Sequence, residues 1–149
     1  MSIEEELKSN FSSDFHKAMV NILYTASWLY NNNAAHFKKF GVTPEQFNVL
    51  RILRGSHPKP LHLADIASRM IDKSSNCTRL VEKLRVKGLV SRKTCQANRR
   101  QVDISIKPRG LELLKNIDAE ESAWLSKISA FTKSDAQVLN SLLDKLRSG

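Results

Sequence analysis

Apolar residues recur at three- and four-residue steps along much of the chain, which is the spacing of amphipathic helices. The pattern predicts six helices, at about residues 14–39, 44–55, 63–70, 73–87 and 111–131, and from residue 132 onward. Thr43, Pro44 and Gln46 stand in the order of a helix-starting capping box. Gly88 follows the fourth predicted helix as a stop signal.

The middle of the chain carries a recognisable arrangement of two of these helices. Residues 63–70 and 73–87 are short amphipathic segments joined by the tight turn Ile71-Asp72-Lys73, and Asp72 is placed to cap the second helix. Two such helices joined by three or four residues are a helix-turn-helix candidate.

The hydrophobic period then changes from that of a helix to that of a strand. Residues 101–106 alternate between polar and apolar, which predicts a half-buried strand, and residues 90–94 are its partner. The loop between them ends in Arg99 and Arg100. A hairpin directly after a helix-turn-helix is a wing. The predicted fold is therefore mainly α with a small β-hairpin wing.

Length and composition exclude several classes of protein. A chain of 149 residues suits one domain, and 41% hydrophobic with 26% charged residues excludes a disordered chain. The longest apolar stretch, residues 19–30, is too short to cross a bilayer. The acidic N-terminus does not fit a signal peptide, and two cysteines cannot form a disulfide framework. We expect a cytoplasmic protein without a membrane partner.

The positive charge is concentrated in the middle of the chain. The formal net charge is +9, and residues 43–109 contain 15 Lys and Arg against 5 Asp and Glu. Such a cluster repels itself unless a polyanion binds it, so nucleic acid is the first candidate partner and an anionic membrane surface the second. Charge alone is equally compatible with a solvated basic face that has no partner.

The second helix of a helix-turn-helix can lie in the DNA major groove, where its outward residues contact base edges. The candidate DNA-contacting residues of this helix are Lys73, Ser74, Ser75, Asn76, Thr78 and Arg79. Asn can bond adenine and Arg can bond guanine, whereas Lys73 and the serines could hold phosphate. Arg99 and Arg100 are candidates for the minor groove, whose negative potential attracts arginine. The competing interpretations are an ordinary polar helix face and a polar loop.

The sequence lacks the patterns of an enzyme or of a cofactor or metal site. It contains no phosphate-binding glycine loop, no nucleophile elbow and no zinc-protease motif. The histidines have no partner at metal-ligand spacing. Cys77 lies on the apolar arc of its helix and is expected to be buried, whereas Cys95 is expected to be a more exposed free thiol.

The sequence resembles the MarR family of winged-helix transcriptional regulators. The resemblance is carried by TPEQFNVL (43–50), LADIASRM (63–70), SSNCTRLVEKL (74–84), KGLV (87–90), NRRQVDISI (98–106) and Gly110. It implies a single MarR-like domain over residues 1–149. Within it, dimerisation helices would occupy residues 1–40 and 111–149, and the winged helix-turn-helix lobe would occupy residues 42–110.

The resemblance also implies a function. Family members form homodimers, bind pseudo-palindromic promoter sites in double-stranded DNA and mostly repress, and many release DNA when a small aromatic or anionic effector binds. By position, Arg100 matches the arginine that enters the minor groove. Asn98 replaces an Asp that usually braces this arginine, so the rigidity of the wing is open to question. The family's peroxide sensors use a cysteine in the N-terminal helix, which this chain lacks.

Two other functions remain compatible with the same residues. A non-specific architectural protein could use the basic face to coat DNA. A helical module could instead use its winged domain to contact another protein.

Overall fold

The computed structural model describes all 149 residues, as eight α-helices and one two-stranded antiparallel sheet. In chain order the elements are α1 Ile3–Leu7, α2 Asp14–Lys38, α3 Pro44–Ser56, α4 Leu63–Arg69, α5 Cys77–Val86, β1 Val90–Thr94, β2 Val102–Ile106, α6 Pro108–Ala119, α7 Glu121–Ser126 and α8 Lys133–Arg147. The chain divides into two compact units, Met1–Leu114 and Lys115–Gly149. The winged helix-turn-helix predicted from the sequence is confirmed, since α4, α5 and the β1–β2 hairpin follow one another in the first unit.

The core of the first unit lies between α3, α4, α5, the hairpin and the start of α6. Its fully buried side chains are aliphatic: Val49, Leu50, Leu53, Ile66, Val81, Leu84, Val90, Ile104 and Leu114. Burying an aliphatic side chain of this size stabilises the fold by about 1.5–3 kcal/mol. Helical spacing places the helix residues of this set on inward faces, and strand alternation does the same for Val90 and Ile104, so the apolar pattern accounts for the packing of the lobe.

The hairpin has the predicted strands and one additional partner. Val90 pairs with Ile106, and the antiparallel register runs to Thr94 opposite Val102. Leu61 adds a bridge beside β2, because its amide and carbonyl both bond Ile104 at 2.9 Å. The neighbouring prolines gave no strand signal in the sequence, so this bridge was not predicted.

The start of α5 differs from the prediction. The helix begins at Cys77 with Asn76 as its N-cap, and not near residue 73. Asp72 does not cap this helix, because its carboxylate accepts hydrogen bonds from Ser74 instead. Local side-chain bonds of Asp and Ser compete with helical bonds, and here they hold residues 72–75 in a turn.

Two further differences concern the ends of the chain. The helix predicted over residues 111–131 is interrupted at Glu120, whose amide donates to Ile117 three residues back and not to the residue four back. No Gly or Pro marks this change in the sequence. The short helix α1 was not predicted, although Ser2 and Glu5 cap it reciprocally.

The second unit contains the end of α6, then α7 and α8. Thr132 and Asp135 form a capping box at the start of α8, where the Asp135 amide donates to the Thr132 hydroxyl at 3.1 Å. The apolar side chains of α8 at Val138, Leu139 and Leu142 are exposed. None of the protein's helices combines the length and the apolar character needed to span a bilayer.

Candidate DNA-binding site

The turn between α4 and α5 is shaped by two polar side chains. The buried Asn48 of α3 accepts a hydrogen bond from the Ile71 amide at 2.9 Å. Asp72 accepts from both the amide and the hydroxyl of Ser74, at 2.9 and 2.6 Å. These bonds favour the charged carboxylate, so the Ser74 hydroxyl, and after it the Ser74 amide, lowers the pKa of Asp72. The turn is thus held by hydrogen bonds within it and by one bond to α3.

Besides Ser74, two of the predicted DNA-contacting residues, Lys73 and Ser75, lie in this turn. The Lys73 ammonium donates to the carbonyl of Ser68 at the end of α4, while its side chain remains exposed. The prediction placed Ser75 on the outward face beside Arg79, and this is wrong for its hydroxyl. The Ser75 Oγ is buried and has no hydrogen-bond partner. The physical reason is that Ser75 precedes the helix, so helical spacing does not apply to it.

The N-terminal turn of α5 presents its polar side chains outward. Asn76 caps the helix, because its side-chain oxygen accepts from the Arg79 amide at 3.1 Å. Asn76, Thr78 and Arg79 are exposed. The opposite face is buried through Cys77 and other apolar residues, and this burial raises the pKa of the Cys77 thiol. The helix therefore offers Asn76, Thr78 and Arg79 to a ligand without disturbing the core.

The end of α5 fixes how the hairpin leaves the helix. Gly88 has φ +75°, a left-handed conformation that glycine adopts without strain. The Leu89 amide donates to the Leu84 carbonyl at 3.0 Å, and the Gly88 amide donates to Arg85 at 2.9 Å, which together form a Schellman motif. The buried Leu89 and Val90 then continue directly into β1.

The wing loop is closed by backbone bonds and by Asn98. The Cys95 amide donates to the Gln101 carbonyl, and the Gln101 amide donates to the Asn98 carbonyl, both at 3.0 Å. The Asn98 side-chain oxygen accepts from the Arg100 amide at 3.0 Å. Asn98 therefore shapes the loop through the backbone of Arg100 and not through an ion pair with its guanidinium group. Cys95 is half-buried rather than fully exposed.

The cationic groups of α5 and the wing differ in whether they are already paired. Arg79, Arg99 and Arg100 are exposed and form no salt bridge within the protein. Arg85 does form one, since its Nε and NH2 donate to the two Glu82 carboxylate oxygens at 2.9 and 2.6 Å. The three unpaired guanidinium groups retain their full capacity to bind an anion.

The sequence analysis missed the pairing of Glu82 with Arg85. Their three-residue spacing on a helix was the available signal. The two side chains lie in an open groove of about 510 Å³ between α5 and the hairpin, together with Arg92, Thr94 and Val102.

A second feature that the sequence did not reveal is a cavity of about 390 Å³ within the first unit. It is lined mainly by apolar side chains of α2 and α3 and by the turn before α5: Ala26, Leu29, Tyr30, Asn33, Phe37, Pro44, Glu45, Phe47, Asn48, Arg51, Met70, Ile71 and Asp72. The Tyr30 hydroxyl donates to Glu45 at 2.6 Å, and this bond raises the pKa of Tyr30. Arg51 is the one cationic side chain in the lining.

Comparison with known proteins assigns the fold to a family. Residues 42–102, which include α3, α4, α5 and most of the hairpin, match the model of the MarR family. The chain thus carries a MarR-family match over residues 42–102 and is similar to MarR-family proteins over most of its length. Members of that family are transcriptional regulators and not enzymes.

Three proteins illustrate this similarity. The HTH-type transcriptional regulator MhqR of Bacillus subtilis (strain 168) is 28% identical over 112 residues, which are 74% of this chain and 76% of MhqR. A MarR transcription factor from Planctomyces limnophilus is 28% identical, with a TM-score of 0.66 and coverage of 94% of this chain and 100% of that one. An organohalide-sensing regulator in its 2,4-dichlorophenol-bound form has a TM-score of 0.78 at 16% identity, covering 93% of this chain and 86% of its own. At that identity the likeness concerns the fold alone.

Proposed function

We propose that this protein is a homodimeric MarR-family repressor that binds a pseudo-palindromic site in double-stranded DNA. The observation that carries the proposal is the exposure of unpaired guanidinium groups on both α5 and the wing tip. In a symmetric dimer, two recognition helices roughly 34–36 Å apart can enter successive major grooves.

We assign the DNA contacts by chemistry. Arg79 and Thr78 contact base edges in the major groove, together with the amide nitrogen of Asn76, whose oxygen already caps α5. Lys73 holds backbone phosphate, whereas Ser74 contributes no donor because its amide and hydroxyl already donate to Asp72. Ser75 contributes no hydroxyl contact because its Oγ is buried. On the wing, Arg100 enters the minor groove, flanked by Arg99 and supported by Asn98.

The homodimer is supported by large apolar side chains that are exposed to water in the single chain. On α2 the exposed large apolar residues are Phe15, Met19, Leu23, Trp28, Leu29 and Tyr30, and on α8 they are Val138, Leu139, Leu142 and Leu146. Several large apolar side chains exposed on one helix, as on α2 and α8, are typical of protein interfaces. A second copy of the chain is the partner that the family resemblance implies for both helices.

We propose the cavity lined by α2 and α3 as the effector site. Its apolar lining suits an aromatic ring, and Arg51 suits a phenolate or carboxylate group. The related organohalide-sensing regulator was solved with 2,4-dichlorophenol. Asp72 lines the cavity and also holds the Ser74 turn before α5, so an occupant of the cavity would reach the residues that position the recognition helix.

The experiment is the selection of bound sites from random double-stranded DNA, followed by footprinting on the selected site. A repressor of this kind protects one discrete two-fold site. Uniform coating would favour an architectural protein, and no binding at low salt would favour a protein-interaction module. Repression itself is measured by in vitro transcription from a promoter that carries the site, where an increase in transcript on adding the protein would contradict it.

Two variants test the assigned contacts. Arg79→Ala should cost about 1–3 kcal/mol on the selected site and less on random DNA. Arg100→Ala should weaken binding and reduce the salt slope by about one. Lys115→Ala, an exposed loss of one positive charge on α6, is the control. Equal losses for Arg79→Ala on both DNAs would reduce Arg79 to a phosphate contact.

The effector proposal is tested with 2,4-dichlorophenol and a panel of aromatic acids added to the protein–DNA complex. We expect the compound to release DNA from the unchanged protein but not from Arg51→Ala. Without the compound, Arg51→Ala should bind DNA with unchanged affinity. Release that persists unchanged in Arg51→Ala would place the effector elsewhere.

A further inference from the structure

Glu82 is the one acidic residue that lines the groove between α5 and the hairpin. It forms a two-point ion pair with Arg85 at 2.9 and 2.6 Å. Both side chains are close to half-exposed, at 44% for Glu82 and 47% for Arg85. Removing the pair would therefore cost little in stability, because exposed ion pairs contribute little.

The other wall of the groove belongs to the hairpin. Strand alternation and the register put Arg92 and Thr94 on the same face as Ile104 and Val102. On this face Ile104 of β2 is fully buried, whereas Arg92, directly opposite it on β1, and Thr94, nearer the tip, are exposed. The charge of Arg92 acts on Glu82, whose pKa is lowered mainly by the hydrogen bond from Arg85 and further by the Arg92 charge.

The position of the groove determines what would cross it. The proposed contacts place α5 in a major groove and the wing tip in the adjacent minor groove. One sugar-phosphate strand separates those two grooves, so it must pass over the surface between helix and hairpin. Two arginines and the Thr94 hydroxyl are suitable groups for a phosphate, whereas the Glu82 carboxylate repels one.

We propose that the groove of Arg85, Arg92 and Thr94 is a DNA-phosphate site and that Glu82 limits its affinity by pairing with Arg85. Glu82 is thus a residue that weakens the sequence-independent part of DNA binding. Binding of a regulator to random DNA is dominated by such phosphate contacts, so a carboxylate here reduces retention on non-target DNA. The proposal rests on the placement of DNA against α5 and the wing.

The test is Glu82→Gln, assayed by DNA titration at several salt concentrations. Glu112→Gln on α6 is the control, because it makes the same charge change at an exposed residue outside the groove. One additional phosphate contact changes the salt slope by about 0.9. The gain in affinity of the variant over the unchanged protein is therefore roughly five-fold larger at 0.15 M salt than at 1 M salt. We expect this gain on selected and on random DNA for Glu82→Gln, and a smaller change for Glu112→Gln.

A second variant identifies the group that Glu82 restrains. In Glu82→Gln/Arg85→Ala the gain should disappear, because the guanidinium group that was released is no longer present. The proposal would be overturned if Glu82→Gln and Glu112→Gln had the same DNA affinity and the same salt slope. A loss of affinity in Glu82→Gln would also overturn it, by showing that the ion pair supports DNA binding.

These results are distinguishable from a failure of the proposed DNA surface. If Arg79→Ala and Arg100→Ala weaken binding while Glu82→Gln has no specific effect, only the role of Glu82 is refuted. If neither arginine matters, the surface itself is wrong. Thermal unfolding of each variant confirms that it is folded.

Discussion

Two glycine-to-alanine substitutions should have opposite effects on stability, although both lie in helices. Gly110 is in the first turn of α6, where an added Cβ would lie 2.5 Å from the Leu89 carbonyl oxygen and 2.7 Å from Ile106 Cγ1. The Leu89 oxygen belongs to the backbone and already accepts from the Lys107 amide at 2.9 Å. It cannot move aside without breaking that bond. Gly55, near the end of α3, has no atom within 4 Å of an added Cβ.

The magnitudes follow from these surroundings. Overpacking a filled site costs about 1–3 kcal/mol, so Gly110→Ala should lower the free energy of unfolding by at least that amount, even though alanine favours helix. Gly55→Ala should raise it by up to about 1 kcal/mol. Urea unfolding followed by circular dichroism measures both values. A stabilising Gly110→Ala would show that α6 does not approach the hairpin base as closely as described, and a destabilising Gly55→Ala would show that helix propensity does not decide that site.

Three smaller predictions concern the turn, the cap and the cysteines. Asn76→Ala should cost about 1 kcal/mol of stability through the lost N-cap, measured by urea unfolding, and Asn76→Asp should restore stability but not DNA affinity. Asp72 has a lowered pKa, so the stabilisation from its bonds to Ser74 is complete above the unfolded-state pKa of about 3.9 and is lost as the pH falls through the lowered value. Ser74→Ala should move the pKa of Asp72 upward in a carboxyl NMR titration, and an unchanged value would contradict the hydrogen bonds. Cys95 should react with iodoacetamide faster than the buried Cys77, and mass spectrometry detects the difference.

The sequence predicted the elements whose signals are local. The cap at Thr43, the stop at Gly88 and the strand alternation over residues 101–106 each depend on residues within a few positions of one another. The start of α5 was misplaced because Asp72 and Asn76 are both good N-caps. Asn76 is the cap for two reasons. The Ser74 hydroxyl bonds to Asp72, and Asn48 on α3 holds the turn by accepting a hydrogen bond from the Ile71 amide. A contact between distant segments leaves no periodic signal in the sequence.

The same distinction applies to the candidate site. Residue types and spacing identified Arg79 and Arg100 as candidate cations for DNA, and the structure leaves both exposed while Glu82 pairs with Arg85. The inward hydroxyl of Ser75 and the cavity beside Asp72 depend on how α3 and the turn pack, so spacing alone could not place them.

The hydrogen bonds that shape the DNA-binding surface also limit what its residues can contribute to specificity. The Asn76 oxygen caps α5 and the Asn98 oxygen holds the Arg100 amide, so each asparagine retains mainly its amide nitrogen for an external partner. An asparagine that bonds adenine at two points needs both groups, and the cap competes with that contact. With DNA placed as proposed, base discrimination on α5 would depend chiefly on Arg79 and Thr78. Because an arginine favours guanine through its paired acceptors, the selected sites should contain a guanine in each half-site opposite Arg79, and this guanine should lose its preference in Arg79→Ala.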